Sequence, residues 1–277
     1  MAEPREELEA WANGRFGDRP EEWSGLAEPG PIQIFGLPIA LLSGFAITKM
    51  GFLAQILWYF VTVPLHETGH AVGSWLGSGF AFPIGAFLPM AGLTVMSDHR
   101  SASFGAAILL GLAALGAFAW NRRSGALILV SAALVFLWFR WTFVETDEEW
   151  RRFSIWAGMG GELFLSTFLV LLSFYDLPKI LHWDFFRIFA LFYGAFGFVS
   201  SATRWLRIRA GTERMPMGSF LTGGPDAAGD VERLVSAHGW TAARITRSYL
   251  DLAAVCAILI VAHWLHALSR RLRTSQR

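Results

Sequence analysis

Residues 51–77 read GFLAQILWYFVTVPLHETGHAVGSWLG, and the fold follows from how this stretch is taken. As a helix it covers roughly 40 Å at 1.5 Å per residue, enough to cross a bilayer. Inside it stands His66-Glu67-Thr68-Gly69-His70. Histidines four apart share one helix face and can bind one zinc ion, and the intervening glutamate can serve as general base toward water at that metal. His66 lies roughly 22 Å along the helix, well short of its far end, so the chemistry is expected below a membrane surface. Pro64 is expected to leave a backbone carbonyl without its donor and to bend the helix just before the motif.

The surrounding composition agrees. The chain has 277 residues, 54% hydrophobic and 16% charged, with 13 Trp and 24 Phe. Soluble domains carry about 25% charged residues, so this is the balance of an integral membrane protein, and aromatics suit bilayer interfaces. A net charge of +1 gives no case for a nucleic-acid partner. The single cysteine, Cys256, excludes an internal disulfide framework and a cysteine-rich metal site, leaving histidine and carboxylate ligands.

Outward from the motif, residues 1–30 are acidic and polar and read as a soluble N-terminal tail without a cleavable signal peptide. Residues 31–268 read as the integral membrane domain that carries the motif, and residues 269–277 as a basic tail. Pro31 to Thr48 is apolar but interrupted by Gly36, Pro38 and Gly44, leaving a kinked span, an interfacial segment or an extended edge open. Ser78 to Met96 is apolar yet too rich in Gly and Pro for a helix. It reads as a re-entrant loop or β-hairpin beside the site, or as an ordinary loop. Further spans are expected at Ser103–Trp120, Gly125–Val144, Ser154–Tyr175, Asp184–Trp205 and Tyr249–Leu268, with a polar loop at 206–246. The fold class is therefore an all-α polytopic membrane protein with about six transmembrane helices. Arg140 is expected to reach toward the polar loop Glu145 to Arg152. The basic tail argues for a cytoplasmic C-terminus, but the basic loop Arg204 to Arg214 then conflicts with simple alternation, so charge alone leaves the topology open.

A catalytic zinc keeps three protein ligands and one open position. The third is sought in Leu221 to Leu234, where a Gly/Pro-rich loop enters a helix. Asp230, also placed to act as that helix's N-cap, is preferred over Asp226, also a plain turn residue. Glu162 is the competitor: a carboxylate inside an apolar span is costly, and such a residue faces a cavity or a partner. Ligand, partner of a zinc-bound histidine, proton carrier and protonated packing residue all remain open for it, with a site-lining role favoured. Asp98 and His99 mark an exit to water. His263 and His266 share a helix face and read as an interfacial pair.

With these residues in view, the chain resembles the site-2 protease family of intramembrane zinc metalloproteases. The resemblance rests on His66-Glu67-Thr68-Gly69-His70 in a membrane helix, on the irregular apolar stretch Ser78 to Met96, on the Gly158 to Glu162 segment, and on the late Asp226/Asp230 region. It departs from the family's Asn-Pro and Leu-Asp-Gly pattern, having Met215-Pro216 and then Gly224-Pro225-Asp226 or Gly229-Asp230-Val231. It implies a multi-pass protein of the cell (inner) membrane that hydrolyses peptide bonds of membrane-embedded or membrane-proximal substrates. Glu67 would be catalytic, and zinc would sit on His66, His70 and one late aspartate. The alternative is a zinc-binding membrane protein without proteolysis, a transporter or scaffold.

Overall fold

The computed structural model describes residues 30–88, 92–121, 123–175, 184–217 and 229–274. A π-helical turn, Ile32–Gly36, leads into α1 (Leu37–Ile47). α2 (Phe52–Leu57) passes through a second π-helical turn, Trp58–Thr62, into α3 (Val63–Leu76), which carries the motif. A hairpin follows, with β1 (Gly79–Pro83), a short α4 (Ile84–Phe87) and β2 (Thr94–Arg100). Then come α5 (Ala102–Asn121), α6 (Gly125–Phe139), α7 (Asp147–Leu172), α8 (Asp184–Arg209), α9 (Asp230–Ser236) and α10 (Ala242–Thr274).

Among the described residues, five helical segments are long and apolar enough to cross a membrane: Ala102–Asn121, Leu127–Val144, Asp147–Leu172, Phe185–Arg209 and Ala242–Arg273. Ile32–Ile47 and Phe52–Leu76 meet that test only as a pair, and the pair is bent by 117°. Residues 51–77 are thus helical as expected but form one arm of a broken pair, the break being set at Gly51 with φ +51°. Pro31 to Thr48 resolves into a helix.

Two boundaries move for local reasons. α7 begins at Asp147, well before Ser154, because Thr146 and Glu149 form a reciprocal capping box that starts the helix inside the acidic loop. The stretch expected as a polar loop at 206–246 holds the end of α8, all of α9 and the first turn of α10.

Pro64 acts as foreseen on hydrogen bonding, but the chain answers with the π-helical turn Trp58–Thr62 just before it. The carbonyl of Phe60, four residues before the proline, has lost its helical donor. The Tyr193 hydroxyl from α8 supplies one, lying 2.9 Å from the Phe60 oxygen and 3.2 Å from that of Val61.

Small residues then set the depth of packing. α3 makes its most extensive contact with α7, and so does α8. Gly69 of α3 faces the backbone of α7 so closely that a Cβ would overlap the Ala157 carbonyl, and a Cβ on Gly161 would lie 2.5 Å from the Gly69 Cα. The two helices meet backbone to backbone, as small residues allow. Beyond this contact a buried cluster of Ile155, Met159, Leu163, Trp205, Val231, Leu234 and Tyr249 ties α7, α8, α9 and α10 together.

Ser78 to Met96 proves to be a hairpin with a helical turn at its tip. β1 and β2 pair antiparallel, with Ala81 opposite Met96 and Pro83 opposite Thr94. Trp150 plugs the corner between α3 and β1: Gly77 and Gly79 lie on its ring, and its indole donates to the Ser74 carbonyl at 3.3 Å. At the other end Arg100 donates to the Thr142, Glu145 and Thr146 carbonyls, fastening β2 to the turn before α7. Arg140 reaches Glu145 at 2.7 Å. α5 buries only Gly105 and Ala119 among its residues and leaves Leu110 and Trp120 exposed, which is the surface lipid would cover.

Candidate metal centre

Helical spacing puts His66 and His70 on one face of α3, and that face is turned toward α7 and α9. The His66 Nε2 and His70 Nε2 atoms are 3.2 Å apart. Asp230 Oδ2 completes a triangle at 2.9 Å from the first and 3.0 Å from the second. The competing reading of Asp230, as the N-cap of its helix, is not what the chain adopts. The cap is Gly229 and Asp230 is the first helical residue, so its side chain is free to turn onto the histidines.

The protonation pattern of the rings follows from their other nitrogens. His70 Nδ1 lies 2.8 Å from the Ser154 carbonyl, which can only accept, so that nitrogen carries the proton. His66 Nδ1 lies 3.0 Å from Glu162 Oε1 and donates to it in the same way. Both Nε2 lone pairs then point at one place, joined by a carboxylate oxygen, with no proton assigned between them. Three converging lone pairs on such a triangle form a group that can hold a metal ion. The fit is dimensional as well as chemical: donors about 2.0–2.1 Å from a tetrahedral ion stand about 3.3 Å apart.

Glu67 is buried on the same helix and lines the same cavity. Its carboxylate oxygen Oε2 is 2.6 Å from the Thr94 hydroxyl, which also reaches the Glu67 backbone carbonyl at 2.9 Å. The hairpin thus holds the glutamate through Thr94. Gly85 makes room, since a Cβ there would sit 2.5 Å from Glu67 Cγ. Gly158 does the same for His70, whose ring occupies the place of a Cβ.

Glu162, favoured as site-lining, does line the cavity and is buried, and it contacts His66 rather than joining the metal-holding group. Asp226 lies outside the described residues. Asp98 and His99 are exposed on β2. His263 Nε2 is 3.1 Å from the Tyr175 hydroxyl and its Nδ1 donates to the Leu259 carbonyl, so its nitrogens are engaged away from the centre. Thr94, Gly85 and the Ser154 carbonyl were not foreseen. Each belongs to an element whose place against α3 no local pattern announces.

The centre opens into a cavity of about 610 Å³ whose lining includes Arg204 and Arg233. Against this geometry, no family model, curated protein or solved structure matches the chain.

Proposed function

We propose that this chain is an intramembrane zinc metalloprotease of the site-2 protease type, cutting peptide bonds in membrane-embedded or membrane-proximal substrates. The observation that supports it most is the convergence of His66, His70 and Asp230 on one point beside a buried Glu67, in a chain with five helices apolar enough to span a bilayer. Two imidazoles and one carboxylate with an open side are the donor set of a hydrolytic zinc site. Zinc held there supplies Lewis acidity toward water and toward the scissile carbonyl.

The chain's own groups account for the rest. Asp230 and the two histidines fix the ion, and Glu162 and the Ser154 carbonyl hold the rings in the tautomer that leaves Nε2 free. Glu67 accepts the proton of the attacking water as the new C–O bond forms, and returns it to the amide nitrogen as the C–N bond breaks. Thr94 keeps the Glu67 carboxylate in place between these transfers. A substrate helix must unwind locally before its bond is reachable, because helical carbonyls are already paired.

The test is metal stoichiometry and peptide cleavage measured together in purified protein. Wild type should hold one zinc and cleave, Glu67→Gln should keep the zinc and lose cleavage, and the double variant His66→Ala/His70→Ala should lose both. Cleavage that survives Glu67→Gln sinks the mechanism. Equal zinc in wild type and the double variant removes the site.

A further inference from the structure

The cavity that holds the metal-holding group also carries positive charge that a purely apolar substrate does not explain. Arg204, near the end of α8, and Arg233, on α9, line the same cavity as His66, Glu67 and Asp230. Arg233 follows Asp230 by three residues, so both fall on one side of the short helix, roughly 4.5 Å apart along its axis. Among the described residues Arg233 makes no ion pair. Arg204 is 3.3 Å from Glu213, but that one carboxylate also faces Arg207 at 3.9 Å. Two guanidinium groups, those of Arg204 and Arg207, therefore share a single carboxylate. Arg204 also stands over Trp58, 5.1 Å from the ring centroid, where a second cavity of about 360 Å³ shares Trp58, Tyr59 and Arg204 with the first. A half-buried guanidinium left facing an uncharged surface is unfavourable once water is displaced, whereas a carboxylate brought to it gains a bidentate pair.

We infer that the cavity contains an anion subsite, built on Arg233 and supported by Arg204, that binds a carboxylate of the peptide held at the metal centre. This rests on the proteolytic reading above and deepens it: the substrate is an apolar segment carrying an acidic group near the cleaved bond. The carboxylate comes from an aspartate or glutamate side chain or from a free C-terminus, and the two sources are separable.

Zinc-loaded protein in lipid vesicles is given three peptides of the same apolar sequence: one with aspartate in the cleaved segment and an amidated end, one with asparagine and an amidated end, and one with asparagine and a free carboxylate. Binding is read by fluorescence anisotropy beside cleavage. The expected result is a preference of about tenfold or more in kcat/KM for one carboxylate peptide over the neutral one, as a desolvated charged contact gives. Preference for the first peptide assigns the side chain, and preference for the third assigns the terminus. Arg233→Gln should remove the preference while Arg233→Lys keeps part of it. Equal handling of all three by wild type, or an Arg233→Gln variant that slows all three alike, overturns the subsite. If nothing is cleaved but a carboxylate peptide still binds through Arg233, the protease reading falls and the subsite stands. No cleavage with no charge-dependent binding removes both.

Discussion

At the scale of single residues, the centre depends on which nitrogen of each histidine is free, and that is decided by groups that never touch the ion. Glu162→Gln exchanges a full charge for a dipole against His66 Nδ1, so zinc affinity should fall about 10–100-fold, read by competition with a chelator. Unchanged affinity would mean that the 3.0 Å contact has no role in orienting the ring. Thr94→Val removes the hydroxyl from the Glu67 carboxylate but no metal donor. Cleavage should drop while zinc content stays at one per chain, and loss of zinc in parallel would contradict the division of roles. Glu67→Gln itself should cost about 10²–10⁴-fold in cleavage rate, the usual range for a positioned general base. The sequence showed openly that His66 and His70 would meet on one helix face with Glu67 beside them, because four-residue spacing alone brings side chains together on a helix. It carried nothing for Thr94: whether a threonine on a strand reaches a helix depends on hairpin register, and that register includes a bulge between Gly79 and Ala81.

At the scale of elements, the contact between α3 and α7 sets the geometry of the metal-holding group. Gly161→Leu would push a branched side chain into the backbone of Gly69 and the Leu65 carbonyl, which lies 2.8 Å from a Cβ at that position. The variant should lose at least about 1–3 kcal/mol of stability, the usual range for overpacking, and its zinc affinity should fall with it. Tyr193→Phe is milder. It leaves the Phe60 and Val61 carbonyls without their hydroxyl and should destabilise the fold by about 1 kcal/mol, measured as a lower midpoint of thermal unfolding. Proline chemistry showed in advance that a carbonyl would be orphaned before the motif. That the answer is a π-helical turn and a tyrosine from α8 was not legible, since the donor stands more than a hundred residues away.

For the whole molecule, the apolar runs that mark α5, α6, α7, α8 and α10 were readable because length and composition suffice for a span. Element ends were not, where capping wins over hydropathy: Thr146 and Glu149 start α7 in a stretch that reads as a polar loop. The third donor was narrowed to a late aspartate by the absence of usable cysteines, and Asp230 now stands within 3.0 Å of both histidines. That its helix is capped by Gly229, with Asp230 as the first helical residue, turned on one residue of register that propensity does not decide. The exposed apolar surface of α5 and α6 predicts that the chain stays with the membrane fraction after alkaline carbonate washing; release into the supernatant would contradict a multi-pass arrangement.

The distance along the chain between His70 and Asp230 has a consequence in time. A ribosome adding about 5–20 residues per second needs roughly 8–30 s to travel from one to the other. Throughout that interval the two imidazoles lack their carboxylate, and α10, which packs beneath α9, has not been made. On the proteolytic reading proposed above, a centre assembled in this order would stay incomplete while its own chain is being made. The last helices would then complete it, so that neighbouring nascent segments meet no finished centre before that point.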